Sequence, residues 1–236
     1  MRNTYKFSVL KYTIHKEGRL ILAVIALIIL LQNICCFAFL GTVWGIVFFI
    51  PTFAVLLVFV NFYRYCPNHT VLEDEFDIVA PADGTVTAIE PTLDDELTME
   101  ERLQLSIRMS MFDAHSTWTP FDGKVITSQH RSGRYKSAYL PKSSKENEHT
   151  NIILESDCSG AQVLMKQIAG AVARRVVNYA TPGKELKVND QIGFIRFGSR
   201  TDLLFPLDSV DVKVRIGDHV KGGRTVIARF RRPASL

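Results

Sequence analysis

The sequence predicts a mostly β soluble domain of barrel-like architecture, preceded by an α-helical hairpin that spans a membrane or is embedded in it. Three observations carry this reading. No charged residue occurs from Leu20 to Phe62. After Pro67, short runs rich in β-branched residues alternate with Gly, Pro and Asp turns. Within that second part, two pairs of segments echo each other. The composition changes at Cys66-Pro67, so 1–66 reads as a membrane hairpin with basic flanks and 67–236 as the β-rich domain.

The hairpin follows from length. Met1–Arg19 is a polar leader carrying Arg2, Lys6, Lys11, Lys16 and Arg19. One span needs about 20 apolar residues, so the uncharged run holds two, Leu20–Leu40 and Val43–Phe62, with Gly41 at the turn. The run is far too long for a cleaved signal peptide, and it lacks the polar faces of a soluble helix pair. Lys16 and Arg19 stand before it and Arg64 after it, which puts both ends, and the β-rich domain, on the cytoplasmic side of the cell membrane.

The soluble part offers strand-like runs at 84–89, 105–110, 123–126, 151–154, 162–168 and 194–197, with a hint of helix only at Thr98–Leu103. Ala80-Pro81-Ala82-Asp83-Gly84-Thr85-Val86 echoes Thr119-Pro120-Phe121-Asp122-Gly123-Lys124-Val125, each an Asp-Gly turn before a strand. Lys187–Gly193 echoes Arg215–Gly222. That last pattern, running on to Ala228, resembles the hammerhead turn of biotinyl and lipoyl carrier domains, so the domain reads as barrel-sandwich-like and hammerhead-containing. The carriers' modified lysine motif is not found here, so the likeness speaks to fold alone.

Composition narrows the function classes. The net charge of +4 is modest and has no block of interleaved basic and aromatic residues, which argues against nucleic acid and suits an anionic membrane surface. Cys35, Cys36, Cys66 and Cys158 lack metal-site spacing and read as reduced thiols. No HExxH, P-loop or dinucleotide-binding glycine motif is present, so neither a metal nor an external cofactor is expected.

The stretch with chemistry in it is Gly193-Phe194-Ile195-Arg196-Phe197-Gly198-Ser199-Arg200-Thr201-Asp202. An apolar strand delivers a Gly-Ser pair to a turn, where the glycine carbonyl can be approached closely and the serine hydroxyl can attack it once deprotonated. By itself such a pair reads as a turn with a solvated serine. The stretch resembles the self-cleavage site of the phosphatidylserine decarboxylase proenzymes, in their short, membrane-associated, pyruvoyl-dependent form. The resemblance runs from Ala80 to Ala228 and includes the hydrophobic N-terminus.

The resemblance implies autocatalytic serinolysis between Gly198 and Ser199, giving a large chain 1–198, a small chain 199–236 and a pyruvoyl cofactor derived from Ser199. That ketone would form a Schiff base with the amine of phosphatidylserine, so that CO2 leaves and phosphatidylethanolamine is released. The phospholipid and the two chains of one precursor are the partners. A noncatalytic, membrane-tethered carrier-like module, and a decarboxylase of a related ether-linked serine lipid, remain as alternatives.

A base must take the serine proton. His115, in Met109–Pro120, reads as a satisfied structural histidine by spacing alone. It occupies the family's matching histidine position, and Trp118 stands where many longer members have a second histidine. Asp83 matches the aspartate of the family's Pro-Ala-Asp-Gly motif, which is read as the histidine's partner, although Asp122 sits in the same kind of turn without a role. Gly133–His149 is similar to the family's basic loop ending in Glu-Asn-Glu-Arg, with His149 in place of the arginine. Arg134, Lys142, His149 and, beside the cut, Arg200 are the lipid or head-group candidates. Arg174-Arg175 is similar to a basic pair near the family's site. A solvated surface loop accounts for the charges of Gly133–His149 equally well.

Overall fold

The structure is a computed structural model that describes residues 13–67, 72–133, 147–170, 176–196 and 199–232. The chain divides into two compact units, Met1–Pro67 and Asn68–Leu236.

In the first unit a short antiparallel pair, β1 (Thr13–Ile14) and β2 (Arg64–Tyr65), closes the base of α1 (Lys16–Phe62). The α1 element is two helical arms, because Gly41 takes φ 78° and ψ 175° and leaves the helical region. Only glycine enters that region without cost. The arms run back alongside each other. Asn33 Nδ2 donates to Thr52 Oγ1 at 3.1 Å, and Gly45 lies where any Cβ would fall on the Phe37 ring. The hairpin and its turn at Gly41 therefore stand. The first arm begins at Lys16 rather than Leu20 because His15 caps it, its Nδ1 accepting from the Glu17 amide at 3.2 Å. Leu20, Phe39 and Val43 are among many exposed apolar side chains on the arms. The helix is long and apolar enough to cross a membrane, which suggests membrane association.

The second unit is β throughout. Its strands are β3 (Asp77–Val79), β4 (Gly84–Asp94), β5 (Glu100–Arg108), β6 (Ser116–Trp118), β7 (Gly123–Arg131), β8 (His149–Ser156) and β9 (Gln162–Ile168). They continue with β10 (Val176–Asn178), β11 (Glu185–Leu186), β12 (Gln191–Ile195), β13 (Arg200–Pro206), β14 (Val210–Val212), β15 (His219–Val220) and β16 (Val226–Phe230). An eight-stranded antiparallel sheet has the order β11-β7-β8-β9-β13-β5-β4-β15, flanked by the three-stranded sheets β10-β12-β6 and β14-β16-β3. Alternation builds the core. Leu105 and Ile107 of β5, Leu203 and Phe205 of β13, and Val163 and Met165 of β9 point to one side, where they meet Ile192 of β12 and Ile227 of β16. All three sheets thus enclose one core, as the barrel-like expectation requires.

Two local readings are corrected. Thr98–Leu103 is not helical: Asp94 Oδ2 accepts from the Leu97 and Thr98 amides and from Thr98 Oγ1, closing a turn, and β5 then begins at Glu100. The strand expected at 194–197 is β12, which ends at Ile195.

The echo of Asp83 and Asp122 has a physical basis, whereas the structural counterpart of the Lys187–Asp190 turn is Lys221–Thr225 rather than Arg215–Asp218. Asp83 Oδ1 accepts from the Gly222 amide at 2.8 Å and its Oδ2 lies 3.3 Å from Lys221 Nζ. Asp122 Oδ1 accepts from the Val188 amide at 2.6 Å and its Oδ2 lies 3.2 Å from Lys187 Nζ. The opposing turns match as well, with Lys221 N donating to Thr225 Oγ1 and Lys187 N donating to Asp190 Oδ2. The fold is built on two copies of one turn-on-turn clamp.

Candidate active site

Ser199 immediately precedes β13, the strand between β9 and β5 in the central sheet, and is fully buried. Its carbonyl accepts from the Met109 amide at 2.9 Å, continuing the β5–β13 ladder by one pair. Its hydroxyl donates to Met109 Sδ at 3.0 Å. A thioether is a weak acceptor, so the hydroxyl is held but not committed.

His115 lies on the loop between β5 and β6 and is also fully buried. The loop is braced: Asp113 Oδ2 accepts from the Ser110 amide at 2.9 Å and from its hydroxyl at 2.7 Å, while the Asp113 amide donates back to the Ser110 carbonyl. The His115 carbonyl accepts from the Ile195 amide at 3.1 Å, which ties the histidine loop to the strand running toward position 198. On the ring, Nδ1 lies 2.9 Å from the Asp113 carbonyl oxygen. A carbonyl can only accept, so Nδ1 carries the proton and Nε2 carries the basic lone pair. That is the tautomer of a base working through Nε2.

The carboxylate of Asp83 meets Lys221 and the Gly222 amide, and Nδ1 of the His115 ring meets the Asp113 backbone carbonyl. The two aspartates are joined by one cation: Lys221 Nζ is 3.3 Å from Asp83 Oδ2 and 3.9 Å from Asp113 Oδ1, and His219 Nε2 is 3.6 Å from Asp113 Oδ1. Trp118 is buried, its amide donating to the Pro81 carbonyl and its ring edge set against Gly222. An indole N–H only donates, so Trp118 cannot take the proton-accepting part of a second histidine.

Arg200 and His149 belong to one row across the sheet, each paired in register with Ile168 of β9. Neither is presented to solvent. Arg200 donates to Asp202 Oδ2 at 2.9 Å. His149 faces Glu96 Oε2 at 3.0 Å through Nε2 and the Asn147 carbonyl at 2.7 Å through Nδ1. Glu96 also accepts from Asn151, and Lys166 Nζ sits 2.8 Å from Asp94 Oδ1 and 3.5 Å from Glu96 Oε2. Burial alone would raise both carboxyls. The Lys166 and Thr98 hydrogen bonds overcome it at Asp94, those of His149 and Asn151 at Glu96, and both groups are held at about 2. Gly198, Arg134, Lys142 and Arg174-Arg175 lie outside the described residues.

The sequence profile of the family described as phosphatidylserine decarboxylase matches residues 55–228. The chain is 39% identical over 220 residues to a phosphatidylserine decarboxylase proenzyme of Parabacteroides distasonis, covering 92% of this chain and 98% of that protein. It is 41% identical over 229 residues to the Bacteroides thetaiotaomicron proenzyme, covering 94% and 96%. The Porphyromonas gingivalis proenzyme is 41% identical over 222 residues, covering 92% and 98%.

The chain belongs to the phosphatidylserine decarboxylase family.

The family match takes in Asp83, His115 and Ser199 together, along with the last part of the second helical arm. Sequence reasoning about this decarboxylase-family chain missed Met109, Asp113 and Lys221. Met109 and Asp113 stand inside the histidine loop already singled out, but nothing in a linear sequence marks a thioether as a serine's partner or a backbone carbonyl as a histidine's. Lys221 lies in the hammerhead-like turn, and the sequence echo sets Lys187 against Arg215 rather than against it.

Proposed function

We propose that the chain decarboxylates phosphatidylserine to phosphatidylethanolamine and CO2, using a pyruvoyl group that it makes from its own Ser199. Two buried groups support this: Ser199, its hydroxyl resting on the weak acceptor Met109 Sδ at the head of β13, and His115, whose ring Nδ1 meets the Asp113 carbonyl and whose own carbonyl accepts from Ile195 on the strand leading toward position 198. His115 takes the Ser199 hydroxyl proton, and the alkoxide attacks the Gly198 carbonyl, replacing the amide with an ester. Loss of the ester oxygen from Cβ with the Cα proton leaves a carboxylate on Gly198 and a dehydroalanine at 199. Water then releases ammonia and leaves the ketone. When present, that group condenses with a primary amine and withdraws electrons from the bond to the carboxylate. The chain's residues bind the lipid, exclude water and return a proton, a role for which His115 is the candidate. Arg200 sits beside the cut, and Asp83 acts on the His115 loop through Lys221 and Asp113.

Cleavage at 198 would leave two chains that cannot drift apart. The small chain 199–236 would hold β13, paired on both sides by β9 and β5, β15 on β4 and β16 on β3. Basic residues at both ends of the hairpin, Lys16, Arg19 and Arg64, support a cytoplasmic catalytic unit.

The test is release of labelled CO2 from phosphatidylserine carrying carbon-14 in its carboxyl group. Wild type releases label. Ser199→Ala and His115→Ala stay uncut on a denaturing gel and release none. Release at the wild-type rate by uncut Ser199→Ala would overturn the proposal.

A further inference from the structure

Three large apolar side chains on the catalytic unit are exposed next to the buried site. Met111 and Phe112 are 51% and 72% exposed at the tip of the Ser110–Asp113 turn, and Ile216 is 63% exposed on the Arg215–Asp218 turn. The tip is not a slack loop, since its base is closed by the Asp113–Ser110 hydrogen bonds. The two turns adjoin, because His219 Nε2 and Lys221 Nζ both face Asp113 Oδ1, at 3.6 Å and 3.9 Å. Between Lys213 and Arg224 the chain carries four cations, Lys213, Arg215, Lys221 and Arg224, against the single anion Asp218, and all five are exposed. The apolar tip is three residues from His115 and two from Met109, on which the Ser199 hydroxyl rests.

We propose that the Met111-Phe112 tip and the cationic Lys213–Arg224 segment form the face on which the catalytic unit seats itself on an anionic lipid bilayer. The reading rests on the proposed lipid substrate and adds where that lipid arrives. Large apolar side chains ringed by lysine and arginine are the composition of an interfacial anchor. The apolar groups bury at the headgroup boundary, and the cations meet the anionic lipids. A serine head group then needs to rise only a short way out of the bilayer, beside the turn that braces His115.

The experiment compares full-length wild type with Met111→Ser/Phe112→Ser on two substrates. One is phosphatidylserine in phosphatidylcholine vesicles; the other is dihexanoyl phosphatidylserine, monomeric in water. The expected result is complete self-cleavage, an unchanged rate on the monomeric lipid, and a rate on vesicles lower by roughly tenfold. Met111→Leu/Phe112→Trp keeps the vesicle rate. Equal vesicle rates, or equal losses on both substrates, overturn the proposal. A second readout does not need turnover: a polarity-sensitive dye on Phe112→Cys, with the native cysteines replaced, shifts to the blue on vesicles containing phosphatidylserine. No shift overturns the seating face. Wild type that self-cleaves but decarboxylates neither lipid, with the dye still shifting, would instead remove the functional reading and leave the face standing.

Discussion

Replacing Lys166 by Met tests the electrostatics of the sheet that carries Ser199. Lys166 is 7% exposed at the side chain and is the ammonium shared by Asp94, whose side chain is fully buried, and Glu96. Asp94 is lowered from 3.8, and Glu96 from 4.5, to about 2. Depressed carboxyls contribute stability that is present above their ordinary values near 4 and is lost as pH falls through about 2. Asp94 alone contributes roughly 2 kcal/mol at neutral pH and Glu96 roughly 3. The two do not add in full, because they share Lys166. Lys166→Met leaves Asp94 buried without its cation, which costs on the order of 3 to 5 kcal/mol. For a chain of this size that lowers the thermal midpoint by roughly 6 to 20 °C. The assay is thermal unfolding of the full chain in detergent at pH 7 and at stepwise lower pH. The deficit is greatest at neutral pH and narrows toward pH 2, as the carboxyls protonate in wild type and variant alike. Lys187→Met, which removes an exposed pair with Asp122, leaves the midpoint nearly unchanged. A Lys166→Met midpoint indistinguishable from wild type at pH 7, or a deficit that grows on acidification, would refute the reasoning.

Two further predictions bear on the clamp and the hairpin. Asp83→Asn and Asp122→Asn remove matching turn contacts and lower the unfolding midpoint alike, but only Asp83→Asn slows self-cleavage, by tenfold or more; equal cleavage rates followed on a gel would assign Asp83 to the fold alone. Asn33→Cys with Thr52→Cys, in a chain lacking the native cysteines, forms a disulfide on mild oxidation because the two side chains already touch at 3.1 Å. Failure to cross-link would mean that the arms do not run back along each other.

The hairpin and the β domain were legible because each rests on a one-dimensional signal: an uncharged run twice the length of a span, and strands punctuated by Asp-Gly turns. The Asp83 and Asp122 echo was legible too, and the structure supplies its cause in the paired lysine clamps. What stayed hidden depends on contacts between distant segments. Thr98 has a helix-like neighbourhood in sequence, but Asp94 captures its amide and hydroxyl and closes a turn. His149 has the look of a surface-loop residue, yet strand pairing buries it against Glu96, 53 residues earlier in the chain. The His115 ring is oriented by a backbone carbonyl two residues away, and backbone partners leave no mark on residue choice. Ser199 and His115 themselves are proposed through motif likeness, since a Gly-Ser turn and a lone histidine say little individually.

The most direct test of the central claim is the intact mass of the purified protein under denaturing conditions. The account predicts two chains parted between Gly198 and Ser199, with the small chain 199–236 blocked at its N-terminus and lighter by one ammonia than hydrolysis alone would give. A single uncut chain, or a small chain that begins with a free serine amine, would contradict it.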